Sequence, residues 1–405
     1  MKRIGLLSLT ATTALMAGGY NIPEQSMNAT ALSAAYVANA HGSDAAYYNP
    51  ANMVFNKGKG SLEVDLSYIH LSAIEAEGTY GGFLPYAIKS EKENFLIPTF
   101  HYVSPAVDDF RFGLSLVAPG GLSKRWSDAP GSWKAKEFTL RTYEINPTLA
   151  YKINDQLSIA AGIRGLYSEG IVIIDATTVP NPAQNPRYDL SADGFDWGYN
   201  VALSYRPTKE LSLAATYRSN IDMELEGDAT LTYPTGFGGA TVSDSGKTSI
   251  SLPAVLRFAT AYTFNEATTV EFVYERNYWS DYKQLDITFG TNTALDIHAP
   301  KNWEDSNTYR FGLSHKYDSA WMVMAGLGFD ESPIPEETLS YELPGSDGML
   351  YSIGTRYGVS QELDIGASFL YFDKESRSVN QAGEINGSFE NAAAYFLTVG
   401  MEYKF

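Results

Sequence analysis

Five histidines are the side chains of this chain best suited to metal binding or acid–base catalysis, but their spacing supports neither. His41, His70, His101, His298 and His315 show no metal-ligand spacing such as His-x-x-x-His, and none lies in a recognisable nucleophile motif. The chain contains no cysteine, which excludes disulfides and cysteine-bound zinc or iron–sulfur sites. The sequence therefore predicts no metal and no cofactor, and it indicates a protein that is not an enzyme.

Five arginines occupy equivalent positions in segments of alternating sequence. Arg164, Arg218, Arg257, Arg310 and Arg356 each share a side with small and polar residues, opposite a side of apolar residues. A guanidinium group can bind the carboxylate of a ligand, or it can form an ion pair with Asp or Glu of the protein. The internal ion pair is the more common role, but Arg164, Arg257, Arg310 and Arg356 remain possible partners for a ligand carboxylate.

The alternation that positions these arginines runs from about residue 60 to the C-terminus. A period of two predicts β-strands with one apolar and one polar face. Tight turns such as 207–209 and 360–362 alternate with long excursions at 177–193, 222–246 and 331–347. Fourteen strands are predicted, at 60–72, 93–103, 109–118, 136–152, 156–175, 194–206, 210–221, 247–264, 266–280, 306–317, 320–330, 348–360, 362–374 and 391–405.

The apolar face of these strands favours a membrane barrel over a soluble sandwich. It tends to end in Tyr, Phe or Trp, as the aromatic girdles of membrane barrels do. On an ordinary edge strand the apolar face of the last strand would be exposed to water. That face carries Tyr395, Leu397, Val399, Met401, Tyr403 and Phe405. The predicted fold is therefore all-β, a 14-stranded antiparallel transmembrane β-barrel formed by residues 60–405.

The N-terminal residues do not share this pattern. Lys2 and Arg3 precede an uncharged, mostly apolar run at 4–17 that is too short to span a bilayer, so residues 1–17 are predicted to be a secretory signal peptide. Cleavage after Ala17 would make Gly18 the mature N-terminus; a buried N-terminal helix is the alternative. Residues 18–59 are too apolar for a free tail, and they are predicted to form a plug inside the barrel.

Short motifs follow one another in a characteristic order after residue 17. They are Glu24-Gln25-Ser26, Asn49-Pro50-Ala51, Pro119-Gly120-Gly121-Leu122-Ser123, Ile145-Asn146-Pro147, Asp196-Trp197-Gly198-Tyr199-Asn200, Tyr217-Arg218-Ser219, Leu252-Pro253-Ala254, Trp279-Ser280, Phe329-Asp330-Glu331-Ser332-Pro333-Ile334-Pro335 and Leu343-Pro344. No single motif is specific, because an Asn-Pro turn alone is commonplace. The ordered series resembles the FadL-type family of outer-membrane transporters for long-chain fatty acids (OMPP1/FadL/TodX), whose relatives include aromatic-hydrocarbon channels of the TodX and XylN type.

The resemblance implies a barrel closed by an N-terminal hatch, from which a hydrophobic ligand leaves sideways into the membrane where an early strand is kinked. It assigns the hatch hallmark to Asn49-Pro50-Ala51 and a gating role to the mature N-terminus, Gly18-Gly19-Tyr20-Asn21. Pro119-Gly120-Gly121 is the expected kink, because proline lacks a ladder donor and glycine weakens strand pairing. From the residues alone, a plain turn at 49–51 and an ordinary loop start at 119–121 remain open.

The predicted function is passive uptake of hydrophobic compounds through the outer membrane of a Gram-negative bacterium. Long-chain fatty acids are the first candidate cargo, and aromatic or aliphatic hydrocarbons of the toluene and xylene type are the alternative. The expected partners are this ligand and outer-membrane lipid, with the protein as a monomer; the net charge of −18 argues against nucleic acid. A lipase or protease, a general porin and an adhesin or phage receptor are the remaining alternatives.

Overall fold

The computed structural model describes residues 18–56, 60–179, 185–234, 239–381 and 384–405, so the predicted signal peptide at 1–17 lies outside the described residues. Its main feature is a closed antiparallel ring of fourteen strands. They are β1 (Ser61–Leu71), β2 (Glu93–Val103), β3 (Phe110–Val117), β4 (Glu137–Lys152), β5 (Leu157–Asp175), β6 (Arg187–Tyr205), β7 (Leu211–Arg218), β8 (Ala254–Phe264), β9 (Thr268–Tyr278), β10 (Ser306–Lys316), β11 (Trp321–Asp330), β12 (Gly348–Gly358), β13 (Leu363–Lys374) and β14 (Ala393–Lys404).

The ring closes because the last strand pairs with the first. Ser61 lies opposite Lys404 and Leu71 opposite Ala394, and every other strand pairs with its neighbour in the chain. The predicted outward face of β14 is exposed, from 36% for Tyr395 to 51% for Leu397, whereas Thr398 on the opposite face is fully buried. The alternation thus separates an apolar outer surface from a filled interior, and the prediction of a 14-stranded antiparallel barrel is confirmed.

Shorter strands extend the ring at one end. Gly121–Lys124 pairs with β4, and the hairpin formed by Ile221–Thr232 and Thr241–Leu252 pairs with β6. Further short strands are Gln284–Phe289 and Ile297–Pro300, and a separate four-stranded sheet contains Glu75–Tyr80, Leu84–Lys89, Arg377–Asn380 and Ile385–Glu390.

Three sequence predictions are corrected in this region. The excursion predicted at 222–246 is largely the hairpin, and the strand predicted at 247–264 is divided at Pro253, which cannot donate a ladder hydrogen bond. The strand predicted at 194–206 begins earlier, at Arg187, because its outer half pairs with Glu226–Thr232 of the hairpin.

The helices of the structure are short. They are α1 (Met27–Ala31), α2 (Ala45–Tyr48) and α3 (Ser132–Ala135), with 3-10 turns at Pro50–Phe55, Ala176–Thr178, Trp279–Asp281, Thr293–Leu295 and Glu336–Thr338. In the described ranges, no helix has the length and apolar character that crossing a membrane would require.

Residues 18–56 lie within the ring, and inward-facing glycines let them approach the wall closely. A Cβ at Gly326 of β11 would lie 2.2 Å from the carbonyl carbon of Leu32, and one at Gly366 of β13 would lie 2.2 Å from Met27. Larger residues at these positions would displace α1 or the turn after it. The domain limits of 1–17, 18–59 and 60–405 stay predictions, and residues 57–59 lie outside the described part.

Candidate functional site

The wall of the barrel is interrupted between β2 and β3. Their ladder joins only Phe100–Val103 to Gly113–Leu116, and nothing in the described chain pairs with the β3-facing side of Glu93–Thr99. This stretch of β2 contains Pro98, which lacks a ladder donor and is tolerated where a strand is unpaired. We call this interruption the β2–β3 opening. It lies beside the predicted kink, because β3 ends at Val117 and the chain turns away at Pro119-Gly120-Gly121.

The N-terminal segment supplies hydrogen bonds to this free strand end in place of β2. The amide of Ile22 donates to the Pro119 carbonyl at 2.8 Å, and the amide of Gly121 donates to the Tyr20 carbonyl at 2.7 Å. Asn21 and Gly120 form an antiparallel bridge between these two bonds. The structure therefore brings together two groups of residues that the sequence predicted separately, the mature N-terminus and the kink.

Gln25 makes the same kind of contact through its side chain. Its Oε1 accepts from the Ala118 amide and its Nε2 donates to the Ala118 carbonyl, both at 2.8 Å. Its own carbonyl lies 2.9 Å from Nε2 of His101, whose Nδ1 lies 3.0 Å from the Ser115 hydroxyl. His101 thus connects β2, β3 and the N-terminal segment, and its two ring nitrogens already have protein partners.

A small apolar cavity of about 20 Å³ lies next to this junction, among the extensions of the barrel. Its lining includes Tyr20, Leu122, Phe138, Leu140, Ile250, Tyr282, Trp303, Ile334 and Leu343. The Tyr20 ring packs edge-on against Trp279 with 4.8 Å between ring centres, and its hydroxyl donates to the Ser251 carbonyl. The aromatic and aliphatic lining suits an apolar ligand in character, and a ligand would enlarge the space by displacing side chains such as that of Tyr20.

The first two residues of the segment are fixed by their surroundings. Gly19 has a φ of +83°, and a Cβ there would lie 2.4 Å from the Trp279 ring, so only glycine fits. The amide of Gly18 donates to Oδ2 of Asp330 at 2.9 Å. Gly18-Gly19-Tyr20-Asn21 therefore links the wall at β11, the cavity and the β2–β3 opening.

One ion pair lies at the edge of the cavity. The ammonium group of Lys301 donates to Oε1 of Glu342, and both side chains are largely buried. Burial raises the pKa of Glu342, but the charge and hydrogen bond of Lys301 lower it further, so that the pKa stays below its usual value of 4.5. The pair adds no net charge to the cavity.

Asn49-Pro50-Ala51 lies at the other end of the plug. Asn49 Nδ2 donates to the Val37 carbonyl at 2.9 Å and to Ser204 Oγ at 2.8 Å, and the Ala51 carbonyl accepts from Ser158 Oγ at 2.7 Å. Pro50 opens a 3-10 turn, a position where its missing N–H costs nothing. The hallmark thus fastens the plug to β5 and β6, and its role as a hatch stays a prediction.

The five arginines all point inward and all contact protein carboxylates. Arg164 and Arg218 share Glu144. The other pairs are Arg257 with Glu275, Arg310 with Glu275 and Glu24, and Arg356 with Glu63 and Glu402. All five are at least 93% buried, so they lie in the packed interior of the barrel. Binding of a ligand carboxylate by any of them stays a prediction, and it would require breaking an ion pair.

Apart from Tyr20, sequence reasoning did not assign the cavity lining, and it missed the role of Gln25. Gln25 belongs to a motif that the sequence did single out, but its contact with Ala118 joins positions 93 residues apart. Lys301 and Glu342 lie in loops without a period-two pattern, so nothing in the sequence connects them.

Comparison with known proteins identifies the family. Residues 8–405 match the family described as "Outer membrane protein transport protein (OMPP1/FadL/TodX)". Proteins named "Long-chain fatty acid transport protein" from Shigella flexneri and Escherichia coli K12 are each 24% identical over 324 residues, which cover 70% of this chain and 72% of theirs.

Solved structures show the same fold. A Pseudomonas aeruginosa FadL homologue superposes with a TM-score of 0.85 at 20% identity, covering 96% of this chain and 100% of that one. The Pseudomonas putida toluene transporter TodX superposes with a TM-score of 0.73 at 19% identity, covering 98% and 100%. Since the family match spans nearly the whole sequence, this chain belongs to the outer membrane protein transport family (OMPP1/FadL/TodX).

Proposed function

We propose that this protein is an outer-membrane channel for the passive uptake of hydrophobic compounds, with long-chain fatty acids as the main cargo. The observation that carries the proposal is that one short segment touches both the cavity and the opening in the wall. Tyr20 lines the cavity, while the backbone of Tyr20–Ile22 is bonded to Pro119–Gly121 beside the β2–β3 opening. A ligand that displaces Tyr20 therefore releases the strand end next to the opening.

The free energy for this movement comes from the ligand. Burial of a fatty-acid chain contributes about 0.8 kcal/mol per CH₂ group, so a chain of a dozen such groups outweighs several backbone hydrogen bonds at about 1 kcal/mol each. Lateral exit through the β2–β3 opening transfers the chain from the cavity to lipid without exposing it to water. No nucleotide or ion gradient is required by this path.

Neutral hydrocarbons are the second candidate cargo. The cavity is lined mainly by apolar side chains, and its single ion pair, Lys301 with Glu342, is internally neutralised. The likeness to the toluene transporter TodX in fold agrees with this alternative but does not distinguish the two.

The cargo is tested by uptake into cells that lack their own fatty-acid channel. We expect this protein to raise the entry of radiolabelled oleate above an empty-vector control. Entry of toluene or xylene without oleate would replace the main cargo by the alternative. If neither enters while the barrel is present in the outer membrane, the proposed function is wrong.

The path is tested by locking the N-terminal segment to the strand end. The chain has no cysteine, so Asn21→Cys with Gly120→Cys would introduce a single possible disulfide between bridged residues. Oxidised cells are expected to lose uptake and to regain it when a reductant is added. Each single-cysteine variant serves as a control; uptake that persists in the oxidised double variant would rule out release of this contact as a step.

A further inference from the structure

The side chain of Tyr20 occupies an aromatic pocket beside the cavity, as a bound ligand would. It is 2% exposed, and the rings of Trp279, Tyr282 and Trp303 surround it at 4.8 to 6.3 Å between ring centres. Trp279 and Tyr282 meet it edge-on, with 73° and 87° between the ring planes, which is a favourable arrangement for aromatic pairs. We call the space that the Tyr20 ring fills among these rings the Tyr20 pocket. Its wall suits a single flat aromatic ring.

The hydroxyl end of the Tyr20 pocket presents hydrogen-bond acceptors. The Tyr20 hydroxyl donates to the Ser251 carbonyl, and the Ser251 hydroxyl donates to Oδ1 of Asp222 at 2.9 Å. If the Tyr20 ring leaves, the Ser251 carbonyl loses this donor, and a buried acceptor without a donor is unfavourable. The Asp222 carboxylate close by disfavours a second negative charge. A ligand at this end of the pocket must therefore supply a hydrogen-bond donor and carry no negative charge.

Two donors in the wall of the pocket also lack partners. Trp279 and Trp303 are 0% and 4% exposed, and neither indole Nε1 has a hydrogen-bond partner among the described residues. Buried donors of this kind normally have an acceptor. A hydroxyl group both donates and accepts hydrogen bonds, whereas a carboxylate only accepts and a methyl group does neither. Of these three groups, the hydroxyl alone suits both the Ser251 carbonyl and the indole N–H groups.

We propose that the Tyr20 pocket binds a single aromatic ring that carries a hydroxyl group, such as an alkylphenol, once the Tyr20 side chain has left it. The proposal rests on the uptake function proposed above and names a further class of cargo for the same site. Tyr20 is itself a phenol joined to the chain, so the pocket already has the shape and the hydrogen-bonding groups that such a ligand needs. An ionised fatty acid and a plain hydrocarbon both lack the donor.

The test compares p-cresol with p-xylene, which have nearly the same shape and differ in the hydroxyl group. Binding to the purified full chain in a nonionic detergent is measured by calorimetry, and the titration into detergent alone is subtracted. We expect p-cresol to bind more tightly by roughly tenfold to a hundredfold, the effect of satisfying one buried acceptor. The carboxylate p-toluate should bind more weakly than p-cresol.

The ring of Tyr20 competes with the ligand, so its removal should strengthen binding. Tyr20→Ala is expected to bind p-cresol roughly tenfold or more tightly than wild type, because a tethered ring at millimolar effective concentration no longer competes. Tyr20→Phe keeps the ring without its bond to the Ser251 carbonyl and should lie between the two. The preference for p-cresol over p-xylene should be the same in all three proteins, because the wall of the pocket determines it.

A variant outside the site serves as the control. Tyr317→Ala removes a tyrosine that is 78% exposed in the turn between β10 and β11, and it should leave the affinities for p-cresol and p-xylene at their wild-type values. Gel mobility without boiling shows that each variant is folded.

Several results would overturn the inference. They are equal affinities of Tyr20→Ala for p-cresol and p-xylene, no detectable binding of p-cresol to Tyr20→Ala, equal affinities of wild type and Tyr20→Ala for p-cresol, and p-toluate binding as tightly as p-cresol. Failure of the uptake proposal looks different, because cells would then take up neither oleate nor hydrocarbon even where the purified protein binds p-cresol with this preference.

Discussion

At the scale of single residues, buried amides carry much of the connection between plug and wall. Asn49 and Gln25 each place a side-chain amide against backbone groups that no strand reaches. Because an unsatisfied buried polar group costs about 1–3 kcal/mol, these contacts are specific as well as stabilising. Exchange of Gln25 for an apolar residue would leave the Ala118 amide without this partner.

Asn49→Ala is expected to impair uptake while the barrel still assembles. The substitution removes the bonds to the Val37 carbonyl and Ser204 Oγ and should weaken the attachment of the plug by about 1–3 kcal/mol. Oleate uptake and gel mobility without boiling measure the two effects separately. Ser204→Ala removes one of the two bonds and should have an intermediate effect. Unchanged uptake in Asn49→Ala would leave the hallmark as a structural turn.

The Lys301–Glu342 pair predicts an acid-sensitive step at the cavity. Its contribution to stability is present above pH 4.5, the usual pKa of glutamate, and is lost as the pH falls through the lower value in the folded protein. Tryptophan fluorescence, to which nearby Trp303 contributes, should therefore change in acid. Glu342→Gln cannot titrate and should lack this step; identical acid titrations of the two proteins would contradict the prediction.

At the scale of elements, the strands were predictable and their extensions were not. The alternation in β14 is enforced by lipid on one side and by the packed interior on the other, so a period of two marks the strand. The hairpin at 221–252 and the short strands at 75–89 and 377–390 lie beyond the ring, where no lipid face imposes the pattern. Contacts such as Gln25 with Ala118 depend on the closed barrel and cannot be derived from local sequence.

The close contact between β11 and the turn after α1 predicts the effect of substituting one glycine. Gly326→Ala would place a Cβ 2.2 Å from the Leu32 carbonyl carbon, and the plug must shift at a cost of about 1–3 kcal/mol. We expect higher ion conductance in planar bilayers, because a displaced plug leaves space inside the ring. Gly328→Ala, on the same face of β11, meets only the Leu350 side chain at 3.1 Å and should behave as wild type. Equal conductance of the two variants would show that α1 tolerates the added methyl group.

At the scale of the whole molecule, the barrel is held by its lipid-facing surface and by ion pairs across its interior. Each inward arginine joins different strands or the plug, for example Arg310, which contacts Glu275 of β9 and Glu24 of the plug. The sequence predicted the number of strands, since each crossing of the membrane repeats the same alternation. The position of the N-terminal segment could not be predicted in the same way. It depends on contacts with several strands that are distant in sequence and lie close together only in the closed ring.

The closed ring should resist detergent until it is heated, and this resistance should depend on the outer face. The folded protein is expected to migrate anomalously on gels until it is boiled.

Val399 is 49% exposed in the middle of β14, opposite Leu66 of β1, where the ring closes. Val399→Arg would place a charge against lipid at a cost of about 2–4 kcal/mol and should reduce the fraction of the anomalous form. Gln361→Arg, in the exposed turn between β12 and β13, adds the same charge outside the membrane and should leave that fraction unchanged. Equal fractions of the anomalous form in both variants would contradict this prediction. Identical mobility before and after boiling would show that the barrel is not closed by pairing of β1 with β14.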